Sequence, residues 1–168
     1  ISVAADLSMY YVNDRANWGK KDGIFSWGMN MSNLGAKMSY TETAARDFIP
    51  SNLRLGAAYE TMLDDYNSLT IALDANKLLV PTQPIYDLDD PTRIVSGMDP
   101  NVGVANGIVQ SFYDAPGVVT FDNEGNASVL DGSVLKEELR EVNLGFGMEY
   151  DFADVFAFRT GYFYEHFS

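Results

Sequence analysis

Apolar side chains in this sequence recur at every second residue through unusually long runs, the period of a β-strand and not of a helix. In the first run Ile1, Val3, Ala5, Leu7, Met9 and Tyr11 alternate with Ser2, Ala4, Asp6, Ser8 and Tyr10. The second sets Phe25, Trp27, Met29 and Met31 against Ser26, Gly28, Asn30 and Ser32. In the third, Leu53, Leu55, Ala57 and Tyr59 oppose Asn52, Arg54, Gly56, Ala58 and Glu60; in the fourth, Leu69, Ile71, Leu73 and Ala75 oppose Ser68, Thr70, Asp74 and Asn76. The fifth alternates Val142, Leu144, Phe146, Met148, Tyr150 and Phe152 with Glu141, Asn143, Gly145, Gly147, Glu149 and Asp151. The sixth pairs Phe156, Phe158, Tyr162 and Tyr164 with Ala157, Arg159, Gly161 and Glu165, and Phe163 breaks the pattern. Strands are therefore expected near 1–13, 22–33, 51–62, 67–80, 139–152 and 155–167.

Strands of soluble sheets average about five or six residues, whereas these runs approach the roughly nine to eleven that cross a bilayer at a tilt. The opposite face carries Gly, Asn, Asp and Glu, unsuited to the inside of a sandwich but suited to the polar lumen of a membrane barrel. The connections 14–21, 63–66 and 153–154 are short, and 36–50 and 81–138 are long, the asymmetry of tight periplasmic turns and long outer loops. Tyr11, Trp18, Phe25, Tyr59, Tyr66, Tyr150, Phe152, Phe156 and Phe158 gather toward the short-turn side, as an interfacial aromatic belt would. The expected fold is all-β, a transmembrane antiparallel β-barrel.

Composition alone points elsewhere. With 11 Lys and Arg against 24 Asp and Glu the net charge is −13, and the pI near 4.2 excludes tracking of a phosphate backbone, so no nucleic-acid partner is expected. Cysteine is absent, and 46% hydrophobic residues exclude disorder. No apolar run approaches the length of a spanning helix, so by composition this is a soluble acidic domain; the alternation overrides that reading. Membrane barrels start at about eight strands, so six are expected to be an internal stretch of a longer protein, with a signal peptide and the closing strands outside it.

Five segments carry a family resemblance: Trp27 to Tyr40 (WGMNMSNLGAKMSY), Ile49 to Glu60 (IPSNLRLGAAYE), Asn67 to Thr82 (NSLTIALDANKLLVPT), Glu137 to Tyr150 (EELREVNLGFGMEY) and Phe156 to Glu165 (FAFRTGYFYE). Together, with NxGxK, NKLLVP and the GYFYE-type strand, they resemble the PorV family of the Bacteroidetes type IX secretion system, over nearly the whole chain except roughly residues 83–132. The resemblance implies a barrel of about fourteen strands related to the FadL fatty-acid channels, set in the outer membrane among lipid and lipopolysaccharide. It implies a non-enzymatic role in which the protein binds the translocon barrel (SprA, also called Sov). Cargo bearing the C-terminal secretion domain would be received there and delivered to the PorU-containing attachment complex at the cell surface. A FadL-type channel for long-chain fatty acids or other hydrophobic small molecules is the alternative.

Candidate partner-binding residues sit at the end of the fourth strand and in the long outer loop. Leu78, Leu79, Val80 and Pro81 end the fourth strand at the expected rim, where they either dock a partner or cover the barrel mouth, with Pro81 ending the ladder. Tyr86, Phe112 and Tyr113 either anchor a partner or pack a folded-back loop. Asp122 to Asn126 with Asp131-Gly132 has the oxygen ligands of a calcium loop without the EF-hand spacing, and reads as a solvated turn. Asp87, Asp89 and Asp90 read as a solvated run. Ser133 to Leu139 reads as a one-turn helix capped by Ser133 or as the run-in to the fifth strand. Asp74, Glu149, Asp151 and Arg159 are expected to pair on the lumen face. His166 is the single histidine; it shares a face with Ser168, but no Asp or Asn completes a triad, so neither catalysis nor a cofactor is expected.

Overall fold

A computed structural model describes residues 3–17, 19, 21–39, 46–87, 89–122, 127–153 and 155–166. The elements in order are β1 (Ala4–Asn13), β2 (Gly23–Gly35), β3 (Asn52–Asp64), β4 (Asn67–Leu78), β5 (Ile85–Tyr86), β6 (Ile94–Ser96), α1 (Val104–Gln110), β7 (Val119–Phe121), β8 (Ala127–Val129), α2 (Ser133–Arg140), β9 (Val142–Phe152) and β10 (Phe156–Tyr164). The six long strands form one antiparallel sheet in the order β1-β2-β3-β4-β9-β10, with β1 and β10 at its edges. They are the six runs of alternation, displaced by a few residues at their ends.

The register of β9 on β10 shows why the alternation holds. Phe156 faces Phe152, Phe158 faces Tyr150, Tyr162 faces Phe146 and Tyr164 faces Leu144, so aromatic and aliphatic pairs stack along one side. On the other side Ala157 faces Asp151, Arg159 faces Glu149, and Gly161 faces Gly147. Phe163, the exception in the sequence, lies opposite Gly145, which adds no side chain at that position.

The short connections are closed by local hydrogen bonds. Asp64 accepts from the Tyr66 N–H at 2.9 Å and from the Asn67 amide at 2.6 and 2.7 Å, which makes the two-residue turn after β3. The Ala153 N–H donates to the Tyr66 carbonyl at 2.6 Å, tying the β9–β10 turn to its neighbour. Tyr59 donates its hydroxyl to the Ala16 carbonyl at 2.9 Å and passes so near Gly23 that any side chain there would collide with the ring. Tyr11, Phe25, Tyr66, Phe152, Phe156 and Phe158 are exposed toward these turns, and Trp18 lies outside the described residues.

The chain divides into two compact units, one from Ile1–Ala5, Ser32–Asn52 and Leu78–Val142, the other from Asp6–Met31, Leu53–Lys77 and Asn143–Ser168. In the second, a bare sheet, no apolar side chain is buried among the described residues: Leu7 is 58% exposed, Leu73 59% and Tyr162 68%. A soluble sheet of this size would cover such a face, because every 100 Å² of apolar surface left in water forgoes about 2.5 kcal/mol. The buried apolar residues Leu79 and Ala115 both belong to the first unit. The expected 81–138 connection holds α1 and the small sheets β5–β6 and β7–β8, and α2 carries on to Arg140, so the fifth long strand begins at Val142 and not near 139. No helix among the described residues is long and apolar enough to cross a membrane.

Candidate functional site

The first unit is organised around Ser51, which is 2% exposed. Its hydroxyl donates to the Asn33 carbonyl at 2.7 Å, and its carbonyl accepts the Leu79 N–H at 2.7 Å. Asn33, at φ 58°, is a left-handed residue of the kind Asn tolerates best after Gly, and its side-chain amide donates to the Pro50 carbonyl at 3.1 Å. Two residues on, Gly35 brings β2 so close to the Val3 carbonyl and the Ile49 side chain that a Cβ would collide with both. Lys37 then places its ammonium 4.2 Å from the Phe48 ring centre, a cation–π contact. The string Asn33-Leu34-Gly35-Ala36-Lys37 is thus a set of three fixtures holding the 46–51 segment against the end of β2.

From Leu78 onward the NKLLVP string serves the same assembly. Lys77, Leu79 and Pro81 are buried, Leu79 completely, whereas Leu78 between them is 45% exposed. Pro81 and Phe48 both crowd the Cα of Gly107, so α1 seats on them with its glycine inward. At the end of α1 and just past it, Gln110, Ser111 and Asp114 are buried; Asp114 Oδ2 accepts from the Thr82 N–H at 3.0 Å and from Gln110 Nε2 at 3.2 Å. Asp114 Oδ1 is buried and has no hydrogen-bond partner among the described residues.

Helix α2 clasps this region with its acids. Glu138 accepts from the Ala115 N–H at 2.8 Å, Glu137 from the Gly117 N–H at 2.5 Å, and Glu141, just past the helix, from the Thr82 hydroxyl at 2.8 Å. Charged acceptors on backbone donors make stronger bonds than neutral ones. The helix spans eight residues, two turns and not one, and its N-cap is Gly132 at φ 74° with no side-chain cap. Ser133 is the first helical residue; its hydroxyl donates to the Leu130 carbonyl at 2.6 Å and accepts the Val118 N–H at 3.0 Å.

The predicted partner-binding residues therefore separate. Leu79 and Pro81 lie inside the unit, with Val80 half-buried between them. Leu78, Tyr86, Phe112 and Tyr113 are at its surface, the last at 55% exposure. Asp87, Asp89 and Asp90 are tied into local turns: Asp87 accepts the Asp89 N–H at 2.9 Å and lies 3.6 Å from the Arg93 guanidinium, and Asp90 accepts the Thr92 N–H and hydroxyl at 3.0 and 2.6 Å. Those Thr92 bonds hold the Asp90 carboxyl below its ordinary pKa. Residues 123–126 of the calcium-like string lie outside the described residues, as does Ser168. Sequence reasoning passed over Ser51, Asp114 and the three inward glutamates, since nothing in their spacing separates them from solvated polar residues.

On the sheet, the four expected lumen charges are partly joined. Arg159 and Glu149, cross-strand partners in register, form an ion pair. Asp74 does not join them: its carboxylate rests over Gly145, where a Cβ would strike it. An open groove of about 380 Å³ includes Asp74, Tyr10, Asn30 and Arg54, with Gly28 and Gly56 among its lining. A larger groove, about 740 Å³, is walled by Leu55, Leu73, Leu144, Phe146, Tyr162 and Tyr164 from the apolar positions.

A meander of long antiparallel strands with surface-lying apolar rows, and one folded insert between its fourth and fifth long strands, is an all-β wall and not a sandwich with its own core. Residues 1–85, about half of the chain, match the family model described as type IX secretion system protein PorV. The chain belongs to the PorV family and is a component of the type IX secretion system. The matched range contains the NxGxK and NKLLVP strings; the segments of β9 and β10 lie beyond it. No match was found among curated proteins.

Proposed function

We propose that this chain is wall and outer loop of an outer-membrane β-barrel that carries secreted proteins without catalysing a reaction. It binds the SprA/Sov translocon barrel, receives cargo bearing the C-terminal secretion domain and passes it to the PorU-containing attachment complex. The family match over residues 1–85 carries this reading. The membrane setting is supported by the exposed apolar rows, which lipid would cover. Within the first unit, Leu78, Tyr86, Phe112 and Tyr113 offer the contact surface for translocon or cargo, while Leu79, Val80 and Pro81 hold that surface in place.

A FadL-type channel has less support. Such a channel needs an apolar pocket on the lumen side, and the face that carries the Arg159–Glu149 pair is mostly Gly, Asn, Asp and Glu. The test is a deletion strain: cargo with its C-terminal domain is expected to stay in the periplasm or leave unattached, and a detergent pull-down of the native protein is expected to recover a very large barrel. Normal surface display in the deletion strain overturns the proposal.

A further inference from the structure

The polar face of the long-strand sheet carries two arginines, Arg54 on β3 and Arg159 on β10. Arg159 pairs with Glu149 across the strands. Arg54 also has an acid within reach. A Cβ on Gly56 would lie 3.8 Å from the Asp74 Cβ, so these two positions are neighbours on one face of β3 and β4. Arg54 stands two residues along that face. Diagonal neighbours of this kind lie about 7–8 Å apart, a span that a long side chain covers. The two charges nevertheless do not meet. Arg54 is exposed, with no hydrogen bond or ion pair among the described residues. Asp74 turns its carboxylate the other way, over Gly145 on β9.

The open groove of about 380 Å³ includes both side chains. Gly28 and Gly56 line it, so no side chain rises from those positions, and Tyr10 stands exposed on β1. Asn30 donates its amide to the Ser8 hydroxyl at 2.7 Å, which fixes the side chain and leaves its carbonyl oxygen as an acceptor. All of these residues belong to the strand unit. A groove of this volume suits a small ligand and not a folded domain.

An unpaired guanidinium and an unpaired carboxylate on one face complement a molecule with a carboxylate at one end and an ammonium at the other. With Asp74 leaning toward the next strand, the two anchor points are about 10 Å apart, the length of three extended residues. We propose that this groove binds a short zwitterionic peptide, its carboxylate held by Arg54, its ammonium by Asp74, and its backbone lying over Gly56 and Gly28. The site lies within the strand unit alone and does not depend on the export role proposed above.

The probes are triglycine, its C-terminal amide and its N-acetyl form, each titrated calorimetrically into the full-length protein in detergent. Triglycine is expected to bind saturably and more tightly than either blocked form. Arg54→Gln should weaken triglycine roughly tenfold, as loss of one charge-assisted contact does, and leave the amide unchanged. Asp74→Asn should weaken triglycine and leave the N-acetyl form unchanged. Arg54→Lys should keep most of the affinity, which separates lost charge from a disturbed sheet. Absence of saturable triglycine binding to the wild type overturns the proposal. So does an equal loss of triglycine and amide in Arg54→Gln, because the arginine would then not be holding the carboxylate.

Discussion

The N–H of Leu79 donates to the carbonyl of Ser51 at 2.7 Å, joining the residue after β4 to the residue before β3. That bond turns Leu79 inward and takes it out of the strand's alternation, which is why β4 stops at Leu78 while the apolar run continues. Among the described residues, Leu79 is the one large apolar side chain buried completely. Leu79→Ala is expected to cost about 2–5 kcal/mol, the range for emptying a core leucine site. Limited proteolysis should show faster cutting within 79–141, and a digestion pattern matching wild type would refute it.

Asp74 and Gly145 form a matched pair on neighbouring strands. Gly145→Ala would push a methyl into the carboxylate, which must rotate aside, at a cost of about 1 kcal/mol. Adding Asp74→Ala should recover most of the loss, since the obstacle is then gone. Heat-modifiable gel mobility of the three variants reads this; equal destabilisation with and without Asp74 would show that the carboxylate is not the obstacle.

Asp114→Ala removes the shared acceptor of the Thr82 N–H and the Gln110 amide. Leaving buried donors unpaired costs about 1–3 kcal/mol. Hydrogen exchange at the Thr82 amide should accelerate, with little change in the amides of β9 and β10. An unaltered Thr82 rate would place its protection elsewhere.

Asp90 titrates below its ordinary value because the Thr92 hydroxyl and N–H favour the carboxylate. A depressed folded pKa means that its contribution to stability is present above the unfolded pKa and is lost as pH falls through the lowered folded value. Thr92→Ala should move the Asp90 titration upward toward the ordinary carboxylate value, read by carbon-detected NMR of the labelled side chain. No movement would assign the shift to another cause.

The six long strands were readable because a half-buried strand repeats every two residues and each run is long enough to leave no alternative period. What the chain does inside 79–141 was hidden for specific reasons. Helix α1, VANGIVQ, has two valines, an isoleucine and a glycine, poor helix formers that tertiary packing on Phe48 and Pro81 overrides. For α2, Ser133 suggested a cap, but the turn at Gly132 supplied the reversal and the serine hydroxyl went to Leu130 and Val118. Asp114 reads as one more acid in an acidic chain, and only its neighbours reveal that it is interior. The NxGxK and NKLLVP strings were legible as a resemblance; their physical work, seating Ser51, Phe48 and Leu79, required coordinates.

One topological fact gives the 79–141 segment a particular standing. The chain leaves the sheet from β4 and returns on β9, and those two strands are adjacent in it. To the sheet, then, the whole excursion is the loop of a single hairpin, and Thr82 and Glu141 fasten its two ends together. Loop-closure entropy grows only as the logarithm of length, so closing a segment of this size costs about 3 kcal/mol more than closing a two-residue turn. The length of the segment is therefore a minor term in the pairing of β4 with β9, and its contacts with Ser51 and Phe48 are what bind it to the rest of the chain.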